Sequence, residues 1–79
     1  MRVLFFAQTR DAAGVPETEM KISGSISAGE FWEKLAAVQP RLAAFRTTTR
    51  LARNGEYANA KTMFSNDDEV ALIPPVSGG

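Results

Sequence analysis

The chain contains neither cysteine nor histidine, and that double absence limits what its 79 residues can become. No disulfide framework can staple the fold, and the usual thiolate and imidazole ligands of a zinc site are missing. A chain of this size buries only about 60% of the surface it exposes when unfolded. It therefore has to form one domain around one hydrophobic core. The same absence removes Cys-His and Ser-His nucleophilic arrangements, and no side chain can carry a persulfide or thioester. The expectation is no metal site, and chemistry that is either simple or shared with a partner.

The apolar residues show how that core is assembled. Arg2 to Gln8 is rich in branched and aromatic residues and reads as a first strand, with Val3, Phe5 and Ala7 on one side and Leu4 and Phe6 on the other. Residues 11–16, with Gly14, are expected to form a hairpin loop. A second strand from Glu17 to Ser23 alternates Thr18, Met20 and Ile22 against Glu17, Glu19, Lys21 and Ser23. Ser27-Ala28-Gly29-Glu30 fits a capping box and predicts a helix start. Phe31, Leu35 and Val38 should face the sheet, with Trp32 on the flank, Pro40 ending the helix and 40–45 forming a short helical turn. Asn54-Gly55 predicts a tight hairpin between Arg50–Arg53 and Glu56–Ala58. Met63 and Phe64 should cover the open end of the core, before Asn66-Asp67-Asp68 turns into a last strand, Glu69 to Ile73.

One sheet with a helix across one face buries Val3, Phe5, Met20, Ile22, Phe31, Leu35, Val70 and Leu72. Ala71 and Ile73 then point outward and, with Leu4, Phe6 and Tyr57, make an exposed apolar patch suited to docking. Nine Lys+Arg balance nine Asp+Glu, which removes the electrostatic case for nucleic acid. The longest N-terminal apolar run, Val3 to Ala7, is too short for a signal peptide, and nothing approaches the roughly 18 apolar residues of a spanning helix. The expectation is a soluble, cytoplasmic protein. Locally, Arg41, Arg46, Arg50 and Arg53 occur with no acidic residue among them; the default reading is a set of solvated charges, and the sharper one is that they steer the domain onto a partner of complementary charge.

The sequence closes on Pro74-Pro75-Val76-Ser77-Gly78-Gly79. Two prolines end the ladder of the last strand and hold the chain extended, and two glycines lack any Cβ. The expected division is a domain over 1–75 and a projecting tail over 76–79. Such a tail enters a narrow channel and offers an unhindered terminal carboxylate, the outstanding candidate for covalent chemistry in this chain.

Val3-Leu4-Phe5-Phe6-Ala7-Gln8 with Arg10 and Gly14, together with Asp68 to Gly79, resembles the molybdopterin synthase small subunits, sulfur carriers of the ubiquitin-like β-grasp superfamily. The resemblance implies an α+β fold: a β-grasp with one mixed sheet, its first and last strands parallel, a helix packed across one face and a flexible Gly-Gly tail. It also implies that an E1-like enzyme adenylates Gly79 with ATP and magnesium, that sulfur from a sulfurtransferase or cysteine desulfurase replaces AMP, and that the thiocarboxylate supplies the molybdopterin dithiolene. No cofactor is bound permanently. Gly78 would lie in the channel of the large subunit, within a heterotetramer of two small and two large subunits. Phe6, Tyr57, Ile73, Pro74, Pro75, Val76 and Ser77 would meet that partner. Two positions depart from the pattern: Asp67 stands where a glycine is usual, a costlier residue for a left-handed turn, and Arg53 where an apolar residue is usual. Carriers for thiamine, cysteine synthesis or tRNA thiolation share the terminal glycines. A ubiquitin-like modifier and a non-covalent binding module are the remaining alternatives.

Overall fold

The computed structural model describes residues 1–75. Expectations for Val76, Ser77, Gly78 and Gly79 lie outside the described residues. The five strands expected from the sequence meet in one sheet, each within its expected bounds: β1 (Arg2–Phe5), β2 (Glu17–Glu19), β4 (Arg50–Arg53), the two-residue β5 (Glu56–Tyr57) and β7 (Glu69–Ile73). Their order is β2-β1-β7-β4-β5. β1 and β7 run parallel at the centre, Val3 opposite Val70 and Phe5 opposite Leu72, while the other pairs are antiparallel. This is the mixed sheet of a ubiquitin-like fold. Two further strands, β3 (Ser25–Ser27) and β6 (Met63–Ser65), pair in a separate two-stranded sheet, so the expectation of one sheet is incomplete.

Helix α2 (Ala28–Val38) starts where the capping box says it should: Ser27 Oγ accepts from Glu30 N at 3.2 Å and Glu30 Oε1 accepts from Ser27 N at 3.1 Å. Its inner face carries Phe31 and Leu35, both fully buried. Phe31 packs on Phe64 at 5.7 Å and edge-on to Trp32 at 6.1 Å. Trp32, beside that stripe, is also a core residue, while Val38 is 69% exposed and does not face the sheet. The reason is axial and not rotational: Val38 is in phase with Phe31 seven positions earlier but is the last residue of the helix, beyond the packed stretch Phe31–Leu35. A 3-10 helix over Pro40–Phe45 follows and buries Leu42.

Three other expectations are corrected. β1 ends at Phe5, and residues 7–13 form helix α1 (Ala7–Ala13) instead of strand and loop. Ala7 is exposed instead of inward-facing, with φ +48°. β2 ends at Glu19, because beyond it the backbone of Ile22 is held by a side chain: Asn66 Oδ1 accepts from Ile22 N at 2.9 Å and Asn66 Nδ2 donates to Ile22 O at 2.6 Å. Met63, expected to cover the core, is 43% exposed, and only Phe64 fills that role.

The hairpin expectation holds. Asn54 (φ +51°) and Gly55 (φ +87°) make the tight turn. Asn54 also ties it to β7, its Nδ2 donating to Asp68 Oδ1 and its Oδ1 accepting from Glu69 N, each at 2.9 Å. Asp68 Oδ2 accepts from Ser65 N at 2.8 Å, so the turn before β7 is closed by Asp68. These bonds hold the Asp68 carboxyl below the usual range, the Ser65 backbone N–H foremost. Asp67 is not in the left-handed region, so its departure from glycine carries no backbone strain. Arg53 donates to Met63 O at 2.8 Å, linking the two sheets.

Candidate functional site

Residues opposite one another across a sheet share a face. Val3, Phe5, Leu51, Val70 and Leu72 form the helix side and are buried. The alternate positions make the outer row Leu4–Ala71–Ala52–Tyr57, read directly from the register of β1, β7, β4 and β5. A second outer pair, Ile73 opposite Arg50, lies one step further along β7 and β4. The buried positions of α2 pack into the opposite face with the core; along the outer row Tyr57 is exposed, Leu4 and Ala71 are half-buried and Ala52 is buried, so the exposed apolar patch is narrower than the alternation implies.

Phe6 extends the patch beyond the sheet. Its backbone N–H and C=O are both engaged by Thr9, whose Oγ1 accepts from Phe6 N at 3.1 Å and donates to Phe6 O at 2.7 Å. Thr9 itself is fully buried. With its main chain fixed in this way, the Phe6 ring remains 48% exposed. It borders a shallow groove of about 430 Å³, lined by Phe6, Ala7, Gln8 and Asp11 on one side and Ile73, Pro74 and Pro75 on the other. The groove lies where β7 gives way to the two prolines.

The expected site residues therefore divide into three groups. Phe6, Ile73, Pro74 and Pro75 come together around one groove. Tyr57, 57% exposed, stands on the same outer face at the β5 edge, with the Arg50 guanidinium 3.9 Å from its ring centroid. Val76, Ser77, Gly78 and Gly79 lie outside the described residues. Sequence reasoning missed α1, and with it the placement of Gln8 and Asp11 on the groove and the Thr9 clamp. It also missed the Arg50–Tyr57 stack, for which a signal existed: the Asn54-Gly55 turn sets Ala52 opposite Tyr57, which puts Arg50, two residues back, on the diagonal of Tyr57.

The far end of the outer face is electrostatically closed. Arg2 Nε donates to Glu17 Oε2 at 2.7 Å, and Nη1 to Glu69 Oε2 at 3.1 Å. The hydrogen bond from Arg2 holds the Glu17 carboxyl below the ordinary range. Among the described residues no group of three His, Cys, Asp or Glu side chains converges on a metal-sized space, and no helix is long and apolar enough to cross a membrane.

Residues 3–79 match the ThiS family. The molybdopterin synthase sulfur carrier subunit of Arabidopsis thaliana is 34% identical over 79 residues, all of this chain and 82% of the relative. Among solved structures, SAMP1, a small archaeal modifier protein from Haloferax volcanii, superposes with a TM-score of 0.85 at 29% identity, covering 100% of this chain and 98% of that one. A chain of the complex of subunits 1 and 2 of the molybdopterin-converting factor from Helicobacter pylori has the same fold, with a TM-score of 0.68 at 22% identity and coverage of 99% and 96%.

Proposed function

Because the chain belongs to the ThiS family and is related along its whole length to molybdopterin synthase sulfur carrier subunits, we propose that it carries sulfur on its C-terminal glycine for molybdenum cofactor biosynthesis. One observation carries the reading. β7 carries Ile73, half-buried on the outer face, and runs directly into Pro74 and Pro75, so the docking face and the segment leading to the reactive end are contiguous in the chain. A partner that covers Phe6, Ile73 and Tyr57 is thereby set to receive residues 76–79. The Helicobacter pylori neighbour, solved as a complex of two subunits, supports a large-subunit partner. A heterotetramer of two small and two large subunits is the assembly this reading expects.

The chemistry needs an activating step, because a carboxylate is a poor acyl donor. A terminal oxygen of Gly79 attacks the α-phosphorus of ATP in an E1-like enzyme with magnesium, and pyrophosphate leaves. A persulfide on a sulfurtransferase or cysteine desulfurase then attacks the carbonyl carbon and AMP leaves; a thiol cleaves the S–S bond of the acyl disulfide so formed, releasing the terminal thiocarboxylate and ending in a disulfide with the donor's cysteine. The resulting thiocarboxylate passes sulfur to the pterin in the large subunit, which supplies the catalytic side chains. This chain contributes the docking face, the aim of the tail and an acyl carbon with no Cβ beside it. The reading puts the reaction in the cytoplasm.

A second reading, a ubiquitin-like modifier whose terminal glycine forms isopeptide bonds, is favoured by the likeness to SAMP1. The acceptor separates them. The thiocarboxylated chain should convert a sulfur-free pterin precursor to a dithiolene only with the large subunit present. Sulfur passed to a different acceptor leaves the carrier role standing and removes the molybdopterin assignment, whereas lysine-linked adducts favour the modifier.

A further inference from the structure

The sheet carries three arginines, and they are satisfied differently. Arg2 is paired with Glu17 and Glu69, and Arg53 donates to Met63 O. Arg50 makes no ion pair among the described residues. It lies over the Tyr57 ring, with its guanidinium carbon 3.9 Å from the centroid. A guanidinium held over an aromatic face is attracted by the ring's quadrupole and leaves N–H groups at its edge free, in the planar fork that fits a carboxylate in bidentate fashion. The stack also reduces the side-chain entropy that a partner would have to remove.

Its location gives this fork a use. Arg50 is opposite Ile73 in the register, next to a residue that lines the apolar groove, and at the edge of the outer row that ends in the exposed Tyr57. A cation without an acid, held at the rim of an apolar docking face, leaves charge complementarity to be supplied from outside. We propose that Arg50, preorganised by Tyr57, is a specificity-determining anchor that takes an aspartate or glutamate carboxylate of the partner protein seated on the outer sheet face. This rests on the docking reading given above and adds the chemistry of the partner: an apolar surface for Phe6 and Ile73 with an acidic side chain at its border.

The test is binding of the full chain to the purified large subunit of molybdopterin synthase, measured across a salt series. Arg50→Ala should weaken binding about tenfold or more and flatten the dependence of log Kd on log salt, with the melting temperature held. Arg50→Lys, which keeps the charge but loses the planar fork, should recover only part of the loss. Tyr57→Ala and Arg50→Ala combined should cost less than the product of the two single losses, because each disrupts the same anchor. If both Arg50 variants bind as tightly as wild type with an unchanged salt slope while Phe6→Arg loses binding, the anchor is overturned and the docking reading stands. If Phe6→Arg also binds normally, or the wild-type chain does not bind, the docking reading fails and the anchor with it.

Discussion

Replacing Phe6 by arginine separates docking from folding more sharply than any other single change to this chain. The ring is 48% exposed, and an aromatic side chain offers about 150–250 Å² of burial, so a partner can still cover about 70–120 Å² of it. At about 25 cal/mol per Å² that area is worth about 2–3 kcal/mol, or about 30- to 150-fold in affinity. An arginine loses this term and adds a charge to be desolvated. The folded domain is affected less: the aliphatic stem of arginine covers apolar surface while its head stays in water, and the Thr9 clamp acts on the backbone of residue 6 and not on its ring. Calorimetric titration against the large subunit, paired with thermal unfolding, measures both quantities. The expected result is affinity reduced by at least about 30-fold with stability changed by less than about 1 kcal/mol. An unfolded variant would assign the ring to the core, and unchanged affinity would remove Phe6 from the interface.

Two further outcomes concern the Asn54–Asp68 clamp. Asn54→Gly keeps the positive φ but loses two exposed side-chain hydrogen bonds, a cost of about 1 kcal/mol. Asn54→Ala adds the left-handed backbone penalty, about 1 kcal/mol more, so thermal melts should rank wild type above Gly and Gly above Ala; equal melting temperatures would remove the clamp from the stability account. The folded-state pKa of Asp68 lies below its unfolded value, so its contribution is complete above the ordinary carboxylate range and is lost as pH falls through the folded value. Asp68→Asn should therefore narrow its stability gap to wild type on acidification, and a gap that is constant or widens would contradict the assigned cause.

The parts of the fold that were legible in sequence are those where a local rule and the tertiary demand agree. Ser27 and Glu30 cap α2 because both reach each other's backbone, and Asn54-Gly55 turns because both residues accept positive φ. β7 alternates Val70 and Leu72 against Ala71 and Ile73 as one buried and one open face require. Helix α1 was hidden for a physical reason: its seven residues, Ala7 to Ala13, have no apolar stripe, and its one fully buried side chain is a threonine. Its ends did leave traces, in Gly14 at the left-handed cap and in Thr9 three residues after Phe6. The two-stranded sheet escaped because three-residue strands such as Ser25–Ser27 carry too few alternations to read. Of the candidate site, the outward positions Leu4, Ala71 and Ile73 were legible from alternation, whereas Phe6 lies past the end of β1, at the start of α1. The Arg50–Tyr57 stack needed the pairing of β4 with β5 before it was visible.

The central claim is that sulfur rides on the terminus of a chain that has no cysteine to carry it. Intact mass spectrometry after incubation with ATP, magnesium, a matching activating enzyme and a sulfide source tests it directly. The account predicts a shift equal to one oxygen replaced by sulfur, located by fragmentation at Gly79 and missing from a chain that lacks Gly79 or extends beyond it. No shift under conditions that load a known carrier, or a shift located anywhere else in the chain, would contradict it.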